Sequence, residues 1–273
     1  MPAPQAKSWP NATLLLVGHG SSRQPGGVHP SVAHAERLKR SGLFADVQVA
    51  FWREPPHPAD ILDAIETPEI FVVPTLACRG HLCDEVLPQA LGLTGRTTHI
   101  KGRTVHLCDP VGTHPMIASV VAHRARQIMA DNGLSADEAA ILLAAHGSTR
   151  SPQSFETTDN LAKALSAMDG MPKTHARFLE QKPRIEDWRD TIPAPNILVI
   201  PFMFSSGAHG AIDVPTCLGI TLRDRDFAAI RADGLAGPFP ADRRWLWYCR
   251  TVGGEPGIAD IIVRQVAAVP VMS

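Results

Sequence analysis

The chain has 273 residues, 44% of them hydrophobic, and a formal net charge of −1 at pH 7. That length suits one large domain or two of about 130 residues, and the near-zero charge excludes a bulk field that recruits nucleic acid or a membrane surface. Residues 1–11 lack a basic-then-apolar leader pattern, no apolar run approaches the ~20 residues that span a bilayer, and none of the five cysteines is in CxxC spacing, so the expectation is a reduced, cytoplasmic protein.

In chain order, apolar and β-branched runs predict strands at 13–18, 46–51, 69–74 and 104–108. Helical patterns lie between and after them, near 29–42, 57–66, 82–92 and 113–131. A linker follows at 131–138. The alternation then resumes, with strands at 139–145, 174–178, 196–201 and 245–249 and helices near 153–168, 184–190, 209–219 and 255–268. Strands alternating with helices predict an α/β fold of doubly wound parallel sheets, whose ligands bind beyond the carboxyl ends of the strands.

The two series are copies of each other. Leu14-Leu15-Leu16-Val17-Gly18-His19-Gly20-Ser21-Ser22-Arg23 recurs 127 positions later as Ile141-Leu142-Leu143-Ala144-Ala145-His146-Gly147-Ser148-Thr149-Arg150. The same spacing carries Phe51 to Phe178, Pro56 to Pro183, Pro74 to Pro201, Gly80 to Gly207 and Pro88 to Pro215. Val111-Gly112-Thr113-His114-Pro115 matches Val252-Gly253-Gly254-Glu255-Pro256 at a spacing of 141. The second copy therefore holds 14 surplus residues, expected as an inserted surface loop within 221–243, where Asp-Gly, Gly-Pro and Phe-Pro pairs punctuate the chain. Two similar domains are expected, 11–130 and 139–268.

Each copy offers two histidines beyond its strand ends. His19 and His146 follow the first strands; His81 and His209 follow the third. Two imidazoles on adjacent strand ends can hold a divalent ion and leave positions open. Asp213, four residues after His209, is placed to orient its ring. A single histidine in such a turn more often caps a helix or fills a polar niche; the paired, duplicated arrangement favours function. His29, His34, His57, His99, His106, His114, His123 and His175 have no such pairing and read as surface or core residues.

The order of these motifs resembles the ATP-independent sirohydrochlorin chelatases. The matching elements are His-Gly-Ser-x-x-Arg after the first strand, Phe178-Leu179-Glu180 with Pro183 after the second, and Pro201, His209, Asp213 and Pro215 after the third. The resemblance spans nearly the whole chain, in duplicate. It implies two similar chelatase-like domains facing each other across a cleft, and insertion of Co²⁺ or Fe²⁺, or Ni²⁺ in related enzymes, into sirohydrochlorin or a related tetrapyrrole in cobalamin or siroheme synthesis. It implies that His146, His209, His19 and His81 bind the metal and accept pyrrole protons, and that product passes to other tetrapyrrole-pathway enzymes. Arg23, Arg79 and Arg150, inside the same loops, are candidate clamps for substrate carboxylates. No GxxxxGK[ST] sequence occurs, in keeping with chemistry that needs no nucleotide.

The copies match the pattern unequally. His209 lies eight residues after Pro201, the expected spacing, whereas His81 lies seven after Pro74 and Leu82 holds the expected place. Arg53 stands where the second copy has Glu180. The residues thus rank His146/His209 above His19/His81, although the two-domain proteins this chain resembles keep their site in the first half. Two other readings compete. A non-catalytic metal or tetrapyrrole binding protein, such as a metallochaperone, gains weight from the departures at Leu82 and Arg53. A metal-dependent hydrolase is weakened by the lack of a third evident ligand.

Overall fold

A computed structural model describes residues 7–21, 29–149, 152–205 and 207–270. The apolar runs fold as strands and the amphipathic stretches cover them. In the first copy these are β1 (Trp9–Gly18), α1 (Pro30–Ser41), β2 (Phe44–Phe51), α2 (Pro58–Ala64), β3 (Glu69–Pro74), a π-helical turn (Leu82–Val86) running into α3 (Leu87–Ala90), β4 (Thr97–Ile100), β5 (Arg103–Leu107) and α4 (Ile117–Asn132). The second copy contributes β6 (Ala139–Ala145), α5 (Gln153–Ser166), β7 (Lys173–Phe178), α6 (Trp188–Thr191), β8 (Asn196–Pro201), a second π-helical turn (His209–Asp213) into α7 (Val214–Leu218), α8 (Asp224–Asp233), β9 (Leu235–Ala241), β10 (Arg244–Cys249) and α9 (Ile258–Ala267).

The described residues form two sheets of the same topology, β2-β1-β3-β5-β4 and β7-β6-β8-β10-β9. Within each, four strands are parallel and the last is an antiparallel edge strand. The expected all-parallel sheets are therefore mixed. The central strands are buried on both faces, which is why they read as unbroken apolar runs: Leu14, Leu15, Leu16, Ile141, Leu142 and Leu143 are fully buried. Each such leucine contributes roughly 2 kcal/mol through burial.

The surplus residues of the second copy are not a loop. They supply α8, whose first turn is closed by Arg223 N–H donating to Asp226 Oδ2 at 2.8 Å and whose end is capped by Gly234 at φ 75°. β9 then pairs with β10 despite Pro238 and Pro240. An edge strand tolerates proline because one row of its N–H groups needs no ladder partner.

The chain divides into two compact units, Met1–His114 with Pro256–Ser273, and Pro115–Glu255. Compact unit and sequence copy thus differ by one helix each: α4 belongs with the second sheet and α9 with the first. In the first unit, α9 buries Ile258, Ile261, Ile262 and Val266, and Gln265 Nε2 donates to Pro110 O at 3.0 Å. Arg37, on α1, donates to Pro256 O at 3.0 Å. In the second unit, α4 buries Val121, Ala125 and Ile128, and Arg124 Nη2 donates to Asp233 O at 2.6 Å. The chain leaves each sheet at matching places, just before Pro115 and Pro256.

Candidate functional site

The second unit brings two of the expected histidines together. His146 follows β6 and His209 opens the π-helical turn after the adjacent β8; their rings meet edge to face with centroids 4.6 Å apart and planes 78° apart. His146 Nδ1 lies 3.0 Å from Gly147 O. A carbonyl only accepts, so Nδ1 carries the proton and Nε2 of the neutral ring keeps its lone pair. His209 Nδ1 lies 2.6 Å from Asp213 Oδ2, which fixes the same tautomer. Both rings are therefore set to offer Nε2 to a metal or a proton.

Acid groups stand beside each ring. Glu180 N–H donates to His146 O at 3.0 Å, and Glu180 Oε1 lies 3.6 Å from His146 Nε2. Both side chains are about half exposed, at 42% for His146 and 53% for Glu180, so proton exchange with water is open. Tyr248 steadies the turn from below. Its buried hydroxyl donates to Gly210 O at 2.6 Å, and burial holds its pKa well above the ordinary phenol value.

Tight backbone contacts fix the supporting loops. A Cβ on Gly253 would lie 2.5 Å from Phe204 Cα, and Gly253 N–H donates to Met203 O at 2.8 Å. Gly112 plays the same part in the first unit, where a Cβ would lie 2.1 Å from Ala77 O. These glycines let the segment after β10 or β5 press against the loop that leads to His209 or His81.

The first unit repeats the frame with different chemistry. His19 Nδ1 lies 3.0 Å from Gly20 O, as at His146. Arg53 N–H donates to His19 O at 2.8 Å, so Arg53 occupies the place of Glu180. Leu82, not His81, opens the π-helical turn. His81 instead pairs with Glu85, four residues on, at 3.3 Å, and both side chains are 71% exposed. The histidine and its acid have moved one position together.

Arg79 sits between two carboxylates, with Nη1 3.3 Å from Asp84 Oδ1 and Nη2 on Asp109 Oδ1. Arg23 and Arg150 lie outside the described residues. Among the described residues, no group of three or more His, Cys, Asp or Glu side chains is arranged to hold a metal. Burial pushes the Cys83 and Cys108 thiols up to about 12, so neither is a ready thiolate.

Sequence reasoning overlooked one buried pair. His29, read as an unpaired histidine, places Nε2 2.9 Å from Glu54 Oε1, with side-chain exposures of 10% and 4%. Glu54 also accepts Ser21 N–H at 2.6 Å. The only available signal was its equivalence to Gln181, which accepts Ser148 N–H at 2.7 Å in the second copy.

Comparison with known proteins agrees with this duplication. The family model described as CbiX matches twice, over residues 13–128 and 140–269. A protein of Halobacterium salinarum described as a probable sirohydrochlorin cobaltochelatase is 29% identical over 271 residues, covering 93% of this chain and 90% of that protein. Among solved structures, CbiX, described as the terminal enzyme for siroheme biosynthesis in denitrifying bacteria, superposes with a TM-score of 0.68 at 22% identity, covering 94% of this chain and 100% of that one. A multi-domain protein of Deinococcus radiodurans, described as similar to chelatases with two additional novel domains, gives a TM-score of 0.75 at 22% identity; this chain covers 55% of its length and 94% of its own. These structural likenesses speak to fold. Among the described residues, no helix is long and apolar enough to cross a membrane.

Proposed function

This chain belongs to the CbiX family, and from that premise we propose that it inserts a divalent metal ion, Co²⁺ or Fe²⁺, into sirohydrochlorin without a nucleotide, using His146 and His209. The observation that carries the reading is the meeting of these two rings, each with Nδ1 engaged and Nε2 presented.

Insertion exchanges two pyrrole N–H protons for one dication. The metal is a substrate here, and two imidazoles hold it loosely enough to surrender it to four ring nitrogens. Once the metal is handed on, each freed Nε2 can accept one departing proton. A carboxylate faces each proton-accepting ring, Asp213 at His209 Nδ1 and Glu180 beside His146 Nε2. Glu180, half exposed, then offers a path for the proton to water. Imidazole ligation alone does not choose between cobalt and iron. Within the first unit, Arg79 can take a substrate carboxylate by exchanging it for Asp84 or Asp109, and Arg23 and Arg150, outside the described residues, are proposed as carboxylate clamps on their side-chain chemistry. His19 and His81 form the weaker counterpart of the site, in the first of the two sequence copies, 11–130 and 139–268.

The deciding experiment is anaerobic incubation with sirohydrochlorin and Co²⁺ or Fe²⁺, without ATP, followed by visible absorption. Enzyme-dependent acceleration is expected. Metal or tetrapyrrole binding with no acceleration over the spontaneous rate supports the metallochaperone reading instead, which the degenerate first copy favours.

A further inference from the structure

The turn that carries His146 is held by a residue with no place in the chemistry above. Gly147 adopts φ +81°, and a Cβ there would lie 2.9 Å from Gln181 Cγ and 3.1 Å from Phe178 Cβ. Gln181 Oε1 accepts Ser148 N–H at 2.7 Å. The left-handed glycine turns the Gly147 carbonyl back toward its own histidine, where it accepts His146 Nδ1–H. The amide brace and the tautomer of His146 are thus two ends of one three-residue turn.

The first copy contains the same brace with a different head group. Gly20 has φ +70°, a Cβ there would lie 3.1 Å from Glu54 Cγ, and Glu54 Oε1 accepts Ser21 N–H at 2.6 Å. The carboxylate there is matched by His29 at 2.9 Å. What both copies share is an acceptor in this position. What differs is its head group, an amide beside the well-formed histidine pair and a carboxyl beside the displaced one.

We propose that Gln181 is the positioning residue of the metal site: its side-chain carbonyl locks the His146-Gly147-Ser148 turn so that His146 stays in the Nδ1–H tautomer and presents Nε2. The proposal rests on the reading of His146 and His209 as metal ligands. It does not require that the bound metal be transferred to sirohydrochlorin. A carboxylate at 181 would keep the hydrogen bond, as Glu54 does in the first copy.

The test uses the full chain and three variants, Gln181→Leu, Gln181→Met and Gln181→Glu. The readouts are the His146 tautomer by nitrogen NMR, Co²⁺ affinity by visible titration, and sirohydrochlorin turnover. The leucine and methionine variants should lose the single Nδ1–H tautomer and bind Co²⁺ about tenfold more weakly, the usual scale for removing support behind a metal-binding histidine. The glutamate variant keeps an acceptor for Ser148 N–H, so it should keep the tautomer and bind Co²⁺ more tightly than either apolar variant. Wild-type tautomer and Co²⁺ affinity in the apolar variants would overturn the proposal. If both apolar variants fail to fold, loss of the tautomer in Gln181→Glu overturns it. A wild type that binds Co²⁺ but does not accelerate insertion removes the chelatase reading and leaves the brace to be judged by tautomer and affinity.

Discussion

Leu82 and His209 occupy the same place in the two copies, each opening a π-helical turn that ends four residues on, at Val86 and Asp213. No bulge absorbs the shift of His81. It precedes the turn, so its side chain is rotated by about 100° from the direction His209 takes, and it pairs with Glu85 in solvent. If, as proposed above, the metal is held by two imidazoles converging on one point, a mis-aimed ligand forfeits both the metal bond and the proton acceptor. His209→Ala and His146→Ala are therefore expected to lower turnover by 10² or more, in the range for loss of an acid–base group. His19→Ala and His81→Ala should each lower turnover much less than either second-copy substitution. Kinetics of the four single variants, with folding checked by circular dichroism, measure this. Inactive first-copy variants beside an active His209→Ala would move the working site to the first unit.

The same relationship predicts a gain. Leu82→His with Val86→Asp rebuilds the His209–Asp213 geometry on the first sheet, where His19 already has the Nδ1 contact of His146. Both replaced side chains are only partly buried, so the cost should be about 2 kcal/mol or less. Equilibrium dialysis with Co²⁺ should find one more bound equivalent than in wild type. Unchanged stoichiometry in a folded double variant would mean that His19 does not aim as His146 does.

The strands of both cores were readable because β1, β3, β6 and β8 are buried on both faces and so are written as continuous apolar runs. The His209–Asp213 contact was readable because it is local, four residues along one turn. Four features were not. β4 is four residues, Thr97-Thr98-His99-Ile100, with no apolar alternation. In β9 the Gly237-Pro238 and Phe239-Pro240 pairs announce a loop, and only an edge position makes them compatible with a strand. The assignment of α4 and α9 to units was hidden for another reason: periodicity marks the apolar face of a helix but not the sheet that receives it. His29 and Glu54 are 25 residues apart and meet only after β1 and β2 have paired.

Gly253→Ala tests how the site is supported. The new methyl group would press on Phe204 Cα and carbonyl carbon at 2.5 and 3.0 Å, both backbone atoms that cannot rotate away. Overpacking of this kind costs roughly 1–3 kcal/mol. The strain falls on the segment between β8 and the His209 turn, so Co²⁺ affinity should drop along with the urea midpoint. Gly133→Ala is a comparison without such crowding, since nothing lies within 4 Å of its Cβ position; its φ of +64° should cost some stability while leaving Co²⁺ affinity intact. Equal effects of the two substitutions on metal binding would count against a supporting role for Gly253.

The acid sensitivity of the second unit should trace in part to His175. It lies on the edge strand β7, and burial, followed by the nearby Arg177 and Lys173 charges, pushes its pKa down to about 4 from an ordinary 6.5. The folded state therefore prefers the neutral ring. Between pH 6.5 and 4 the unfolded chain binds a proton that the folded chain refuses, so stability falls as pH falls through that window and levels off below about 4. Above pH 6.5 both states are neutral there and the contribution vanishes. His175→Gln removes the proton site while keeping a polar side chain of similar size. Urea unfolding at pH 7 and pH 5 should show a smaller loss for the variant than for wild type. An identical loss in both would assign the acid sensitivity to other groups, since no other change in the variant alters the count of protons bound on unfolding.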